Sequence, residues 1–567
     1  MLYAVSAVLT AVICGPFFGG YLLHRDAVAT PRLPLSAAAF GIDGAPPRAV
    51  PQDAVLGVLS RVVDGGLLVA LITAGALLAA GIGYGRLAQA LVPGCGGAGA
   101  AAAAMVAIWN PYVAERLLQG HWSLLTGYAA LGWLILAVRR LAAHPSWRDA
   151  LITAGLLAAA GLTPTGSLLG LGVAVLTAAV TTGRRRAAFA VVLGGWLVTA
   201  LPWLVAAAAA DDSTRAVGGG ALFAARAEPW LGTLGSVAGL GGIWNAEAVP
   251  AGRRTGWALA ATAALLLLVA LGCRELWRGR ARTGAMVPAL AGLAAVTVLL
   301  IGLAATGPGL AVMDALLTSV PGAGLLRDTQ KFAALAVPFF ALAAAAAASA
   351  LRRWVPSGFA VAAVALLVVA PLPELAWGVG GGVRPVSYPD DYARVTELIG
   401  RTGTGVAVWP DDTVRRFPWN HGPSLSPLPR IIDAAVLTGG ALVVDGQAVD
   451  APTERGAAVG RVLADGGDPQ ALARLNVGWV IVENAAPPPL LAAHGSPVYS
   501  GRWLTVFAVD GAGNWPAPGA GIWAAAIAAL SLWFAALIGG LGAAVGRAVQ
   551  SRSASTRCTP SAVDSQE

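Results

Sequence analysis

Apolar runs alternate with short polar stretches along this chain, and about twelve of the runs approach the 20 residues that a membrane span needs. The first covers roughly residues 2–23. A polar stretch at 24–64 follows, containing HRDAVATPRLPL and PPRAVPQD. Further runs lie at 65–84 and 95–109, and a fourth ends at Arg139 and Arg140. A fifth and a sixth are joined by GLTPTGS and close at Arg184, Arg185 and Arg186. The seventh, 187–208, opens onto a loop of about 45 residues. The eighth ends in CRELWRGRAR, and the ninth, 285–305, precedes GLLRDTQKF. The tenth runs to Arg352 and Arg353, the eleventh covers 357–376 and the twelfth 517–545.

Arginine falls after every second run: Arg86, Arg139–Arg140–Arg148, Arg184–Arg186, Arg274–Arg282, Arg352–Arg353 and the final tail. An excess of basic residues marks the cytoplasmic side. The pattern therefore predicts a plasma-membrane protein with both termini cytoplasmic and the long loops outside. Residues 377–516 are largely polar and hold strand-like GVAVWP, NVGWVIVEN and WLTVFAVD between helix-like DDYARVTELIGR and ERGAAVGRVLA. The expected fold class is thus a polytopic α-helical membrane protein of about twelve transmembrane helices with a small extracytoplasmic α/β domain. By domain, this means a bundle over 1–376 with a first outer loop at 24–64, the α/β domain over 377–516, a last span over 517–545 and a disordered cytoplasmic tail over 546–567.

The polar stretch between the third and fourth runs organises the rest. WNPYVAERLLQGHWSLLTGYAAL, from Trp109 to Leu131, packs Asn110, Tyr112, Glu115, Arg116, Gln119 and His121 between two spans. Pro111 suits a first helical turn and Asn110 the cap before it. Tyr112, Glu115, Arg116 and Gln119 then fall at i, i+3, i+4 and i+7 on one face. Two readings stay open: a short interfacial helix facing a polar cavity, or a helical hairpin with Glu115 and Arg116 solvated and aromatic residues at the membrane surface.

Composition narrows the class. The 567 residues are 57% hydrophobic and 12% charged, with a net charge of +8. No basic tract with interleaved aromatics points to nucleic acid. The basic charge is almost all Arg, with Lys331 the single lysine. Cys14, Cys95, Cys273 and Cys558 form no expected disulfide framework, and no Cys/His spacing resembles a zinc site. The first run lacks a basic leader and reads as a retained span.

Several side chains could carry chemistry. Asp26, beside His24 and Arg25 at the end of the first run, could act as a general base toward a sugar hydroxyl, with Arg25 on a phosphate. Its alternative is an ordinary span-end charge. Asp53, near Arg48 in a proline-flanked loop, is the second acidic candidate or a helix cap. Arg327 and Lys331, four apart with Asp328 and Gln330 between, suit a lipid-linked phosphate; otherwise they are helix-end charges facing lipid headgroups. Trp419 and His421, in RRFPWNHGPSLSPLPR, fit a sugar-binding loop or an ordered interdomain loop. The pairs Asp211–Asp212, Asp390–Asp391 and Asp411–Asp412 could hold a divalent cation or serve as turns and caps. No cofactor is otherwise called for.

WNPYVAERLLQGHW, RDTQKF at the head of a late span, an acidic residue after the first span and LNVGWVIVEN in an α/β domain together resemble the integral-membrane C-type glycosyltransferases, and among them actinobacterial arabinofuranosyl- and mannosyltransferases of the cell envelope. The resemblance implies a polyprenyl-phosphate sugar donor entering from the bilayer, an outer glycan or lipid acceptor, and no nucleotide. Carried over by position, Asp26 would be the base of an inverting transfer, with Asp53 as the alternative. Arg116, His121, Arg327 and Lys331 would grip the donor phosphate, and Glu115 would orient Arg116 or meet sugar. Asn110, Tyr112, Gln119, Asp328, Trp419 and His421 complete the expected substrate contacts. The first loop lacks the paired acidic residues that some members show, so the resemblance supplies no metal site. A transporter of lipid-linked glycans, or a non-catalytic envelope assembly factor, is the alternative function. A transporter should place ionisable groups near mid-membrane, whereas here they gather at the ends of the runs.

Overall fold

The computed structural model describes residues 1–45, 49–210, 219–279, 284–437, 442–444, 446–450 and 453–557. Arg48, Asp211, Asp212, Arg282 and Cys558 lie outside the described residues. All twelve apolar runs are helical: α1 (Leu2–Cys14), α3 (Gly65–Leu91), α4 (Gly96–Ile108), α6 (Leu124–Ala143), α7 (Trp147–Ala160), α8 (Pro164–Val180), α9 (Arg185–Ala209), α10 (Trp257–Arg278), α11 (Met286–Ala304), α13 (Val337–Leu351), α14 (Ser357–Val368) and α17 (Ala520–Arg557). Further helices of the bundle include α2 (Gln52–Leu59), α5 (Pro111–Leu118) and α12 (Gly307–Ser319).

Eight of these helices, counting the turns that continue α1 and lead into α13, are long and apolar enough to cross a membrane. The chain is a multi-pass membrane protein on that basis; among the described residues eight of the expected twelve spans pass this test, or nine if the bent pair that begins with α14 is one span. The shortfall has local causes. Helix α4 stops where Asn110 and Pro111 start α5, and it is buried from Ala98 to Ile108, so protein rather than lipid surrounds it. Helix α14 ends at a break, and the next helical segment, Pro373–Gly381, turns away by 87°. Helices α7 and α8 have 14 and 17 residues. Helix α12 is an addition that the apolar pattern did not announce, and α17 continues through Arg557, past residue 545.

Ala and Gly make this packing possible. A Cβ on Gly272 of α10 would overlap the Ala343 carbonyl of α13, so only hydrogen fits between the two helices. The arginine-bearing ends meet at one end of the bundle. Arg547 pairs with Asp149 at 2.7 Å and Arg353 with Glu275 at 2.6 Å, and the Arg184 amide donates to the Ala142 carbonyl at 2.8 Å. Trp257 and Trp277, 51% and 68% exposed, sit at opposite ends of α10. At 1.5 Å per residue they are about 30 Å apart, which is the thickness of the hydrocarbon layer.

The other end carries the polar loops and the α/β domain. Strands β4 (Gly405–Trp409), β7 (Val436–Leu437), β10 (Val477–Glu483), β11 (Tyr499–Ser500) and β12 (Leu504–Ala508) form a sheet in the order β11-β12-β10-β4-β7. Strands β10, β4 and β7 are parallel, and β12 runs antiparallel to β10. Helix α15 (Asp390–Ile399) covers one face through Tyr392, Val395 and Ile399. Helix α16 (Glu454–Ala464) covers the other through Val459 and Leu463. Burial of both faces explains the near-continuous apolar reading of VGWVIVE.

Two connections tie this domain to the first loop. Strand β1 (Tyr21–His24) pairs with β2 (Ala27–Val28) on one side and with β3 (Pro385–Val386) on the other. The hairpin of β5 (Val414–Arg416) and β6 (Pro423–Leu425) closes over the β1–β2 turn, where the Arg25 amide donates to the Pro423 carbonyl at 2.7 Å. The short hairpin β8 (Leu442–Val444) and β9 (Gln447–Asp450) stands apart.

Gly272→Val should lower the thermal unfolding midpoint of the protein in nanodiscs, since overpacking costs about 1–3 kcal/mol. Gly292→Val, on α11 with no heavy atom near its added Cβ, should leave it unchanged. Equal midpoints for all three proteins would contradict the close α10–α13 crossing.

Candidate functional site

Helix α5 begins as its sequence dictates. The Asn110 side chain accepts from the Val113 amide at 3.0 Å, and Pro111 occupies the first turn. The Asn110 amide group donates back to the Val106 carbonyl at 2.8 Å and to the Tyr128 hydroxyl at 3.1 Å, locking α5 onto the end of α4. Tyr112 stacks on Tyr128 at 5.4 Å and donates its hydroxyl to the Lys331 carbonyl at 2.9 Å.

The expected polar face exists, but it is neither solvated nor open. Glu115 and Arg116 are both 0% exposed. The Glu115 carboxylate accepts from the Gly242 and Ile243 amides, at 3.1 and 3.2 Å, and from the Gln330 side chain at 3.0 Å. The Arg116 guanidinium donates to Asp328 at 2.7 Å, to the Gln330 side-chain oxygen, and to Nδ1 of His121 at 3.0 Å. It also lies 5.4 Å from the centre of the Tyr112 ring. Its two terminal nitrogens are engaged by these three partners, while its Nε is buried without one. Arg116, expected to grip the donor, lies buried against His121, Asp328 and Gln330, and Glu115 pins the loop at 241–243.

Arginine can only donate, so the Nδ1 that meets Arg116 is the acceptor and Nε2 carries the proton. That Nε2 lies 2.9 Å from Oδ2 of Asp26 and donates to it. Gln119 donates to the same oxygen at 3.1 Å, and its own carbonyl accepts from Asn245 at 2.8 Å. The Asp26 side chain is 45% exposed. Both bonds fall on Oδ2, and among the described residues none falls on Oδ1, which stays available to an incoming hydroxyl. Burial pushes the Asp26 carboxyl up, but the bonds from His121 and Gln119 and the Lys331 ammonium outweigh it and hold the group well below the usual carboxylate range. Burial together with the Lys331 and Arg116 charges lowers the His121 pKa despite Asp26, so the ring is neutral.

The backbone brings the two segments together at Gly120. Its φ is +83°, and a Cβ there would run into the backbone of His24 and Ala27. Glycine is required for α5 to deliver Gln119 and His121 against the β1–β2 turn. Arg25 also has a positive φ, 51°, and its guanidinium reaches Glu247 at 3.0 Å.

Lys331 sits 4.0 Å from Asp328, at the limit of an ion pair, with its side chain 24% exposed. Arg327 lies over the Phe223 ring at 4.0 Å. Asp26, Gln119, His121, Arg116, Asp328 and Lys331 are thus one connected group, with Arg25 beside it and Tyr112, Glu115 and Asn110 behind. Asp53 is not brought there. It is buried, and it accepts from Arg430 at 2.8 Å and Gln52 at 3.0 Å, tying α2 to the α/β domain. Trp419 packs with Phe417, Tyr388 and Tyr392 inside the α/β domain. His421 is exposed at the β5–β6 turn, next to Asn420, which donates to the Leu23 carbonyl at 2.9 Å. Asn245 and Glu247 escaped the sequence reading because their loop has no periodicity to place it. Among the described residues no three His, Cys, Asp or Glu stand close enough to hold a metal ion.

No family model and no curated protein matches this chain. Among solved structures it is similar to the cryo-EM structure of the arabinofuranosyltransferase AftD from mycobacteria, with a TM-score of 0.57 and 19% identity over 90% of this chain. A mutant of that enzyme matches with a TM-score of 0.52 and 17% identity, again over 90% of this chain. The chain spans about 40% of the length of the solved protein it resembles. At this identity the likeness shows the fold, and the resemblance to C-type glycosyltransferases holds at that level.

The neutral His121 ring stabilises the folded state fully above pH 6.5, its ordinary value, and that contribution is lost as pH falls through the lowered folded-state value. The difference in unfolding midpoint between the wild type and His121→Gln should therefore be constant above pH 6.5 and shrink below it. A difference that grows on acidification would mean a charged His121.

Proposed function

We propose that this protein is a membrane glycosyltransferase that moves a sugar from a polyprenyl-phosphate donor to a cell-envelope glycan or glycolipid on the outer face of the plasma membrane, with both termini inside. The observation that carries this reading is the half-exposed Asp26 carboxylate, kept ionised by His121 and Gln119 beside the Lys331 ammonium. The fold likeness to an arabinofuranosyltransferase supports arabinofuranose as the sugar, with mannose as the other candidate donor. The ionisable groups of the site gather at one end of the bundle rather than at mid-span, which favours an enzyme over a transporter.

On this reading the acceptor hydroxyl attacks the anomeric carbon of the donor. The new C–O bond forms as the bond from that carbon to the phosphate oxygen breaks, and the phosphate leaves with the electron pair. Asp26 takes the hydroxyl proton on Oδ1. Lys331, engaged with Asp328 only at 4.0 Å, and Arg327 meet the leaving phosphate at the head of a span, where the polyprenyl tail can lie in the bilayer. Attack from the face opposite the phosphate inverts the anomeric centre. His121 and Gln119 orient the carboxylate, and Arg116 fixes the imidazole through a donor that cannot reverse.

Asp26→Asn should lower transfer from radiolabelled polyprenyl-phosphate arabinose or mannose by about a hundredfold or more, with the protein folded in nanodiscs. Asp53→Asn should keep the rate and lower the unfolding midpoint. Lys331→Gln should raise the donor KM more than it lowers kcat. An Asp26→Asn protein that transfers sugar at the wild-type rate would overturn the mechanism.

A further inference from the structure

A cavity of about 540 Å³ opens beside the site, walled by the loop between α9 and α10. Its size suits one or two sugar rings. Arg226, Glu228, Glu247 and Arg254 supply its charged lining. Glu228 is committed elsewhere, since its carboxylate pairs with buried Arg253. The Arg254 guanidinium is held by the Val249 and Glu247 carbonyls, at 2.9 and 2.8 Å, so its position is fixed while its charge is not cancelled. Among the described residues Arg226 makes no side-chain hydrogen bond or ion pair, and its Nε is buried without a partner. Glu228 feels the Arg226 charge but is bonded to Arg253, and Glu247, which faces Arg254, is already shared by Arg25 at 3.0 Å and Arg416 at 3.5 Å. Arg25 is itself nearly enclosed, with its side chain 12% exposed, and its Nε has no partner.

Three guanidiniums, of Arg25, Arg254 and Arg416, therefore act on the Glu247 carboxylate, and that of Arg226 lines the same cavity beside Glu228, whose carboxylate is already paired with Arg253. Buried N–H donors without acceptors are costly, and an oxyanion would satisfy them. The cavity is also coupled to the reacting carboxylate by short covalent and hydrogen-bonded links. Arg25 precedes Asp26 in the chain. Asn245, next to the cavity residue Ala246, donates to Gln119, which donates to Asp26. Arg416 comes from the β5–β6 hairpin, so both the loop and the α/β domain contribute cations to the same place.

We infer that this cavity is the acceptor subsite, and that it takes a glycan acceptor bearing an oxyanion, a phosphate or a carboxylate, near the hydroxyl to be glycosylated. The assignment rests on the transferase reading and gives it a substrate class. The donor phosphate belongs on the Lys331 side, at the head of a span. The cavity lies on the opposite side of Asp26 along the chain of contacts, through Arg25 and Gln119. An anion there would pair with Arg226 and Arg254 and leave Glu247 to hold Arg25 and Arg416.

The test uses the full chain in phosphatidylcholine nanodiscs and two probes: an octyl arabinofuranosyl disaccharide carrying a terminal phosphate monoester, and the same disaccharide without it. Equilibrium binding is read by thermophoresis. The phosphorylated probe should bind roughly tenfold more tightly than the neutral one. Arg226→Gln should abolish that preference, while Glu247→Gln, which removes the competing negative charge, should strengthen it. Opposite signs from two lining residues cannot arise from a damaged fold. Asp26→Asn should keep the preference while losing transfer. If Asp26→Asn instead transfers sugar normally, the mechanism fails while the binding assignment is still read by its own assay. Equal binding of the two probes would overturn the inference. Loss of the preference when phosphatidylglycerol is added to the nanodisc would do the same, by making a lipid headgroup the occupant. Competition by sugar-free polyprenyl phosphate would also overturn it, by giving the cavity to the donor.

Discussion

The burial of the Arg116 guanidinium is the constraint from which the site end of the molecule follows. A guanidinium cannot shed its charge, and removing one from water without partners costs several kcal/mol. The fold meets that demand with three acceptors from two distant segments: Asp328 and Gln330 from the head of the tenth run, and His121 from beyond α5. Each acceptor is fixed as a consequence. Asp328 is drawn beneath α5, so Lys331, three residues on, comes to the mouth of the site. His121 presents its other nitrogen outward, and Asp26 is where that nitrogen points.

A second constraint acts on the backbone. The β1–β2 turn can approach α5 only because Gly120 has no side chain and adopts a positive φ. The same turn is gripped from the far side by the β5–β6 hairpin, through Arg25 and Pro423. Asp26 is therefore clamped between the helical bundle and the α/β domain. Asp53 strengthens the clamp from another direction by pairing with Arg430. Asp53 and Asp26 divide the work by burial: the first is sealed in an ion pair that joins the loop to the domain, the second is half-open where two domains meet.

The helices and the start of α5 were legible in the sequence, because apolarity, an Asn cap and a first-turn Pro are local signals. The span count was less so. Helix α4 is as apolar as a lipid-facing helix, yet protein encloses it, and composition cannot tell one apolar neighbour from the other. The face formed by Tyr112, Glu115, Arg116 and Gln119 was legible as a face. What covers it was not, since Gln330 and Gly242 lie more than a hundred residues away and carry no periodic mark. For the same reason the sequence could not show that Arg116 is enclosed by Asp328, Gln330 and His121. Trp419 and His421 illustrate the point at short range: two residues apart in one loop, the first belongs to an aromatic core and the second faces solvent. Asn245 and Glu247 became meaningful only once Gln119 and Arg25 were seen to reach them.

The depressed basicity of Asp26 has a mechanistic consequence for the transferase reading. A carboxylate stabilised by two donors and a nearby ammonium is a poor base toward a free hydroxyl, whose proton is held far more tightly. Proton transfer becomes favourable only after the acceptor oxygen has begun to bond to the anomeric carbon and has gained positive charge. Departure of the phosphate must then lead and deprotonation must follow. In such a sequence the cations that stabilise the leaving phosphate matter more than the strength of the base, and the role of the base is to be ionised and correctly aimed when the proton loosens. The structure is arranged for aim rather than strength. His121 and Gln119 fix one oxygen, Arg116 fixes His121, and the single lysine of the chain stands at the same mouth with its own carboxylate partner barely in reach.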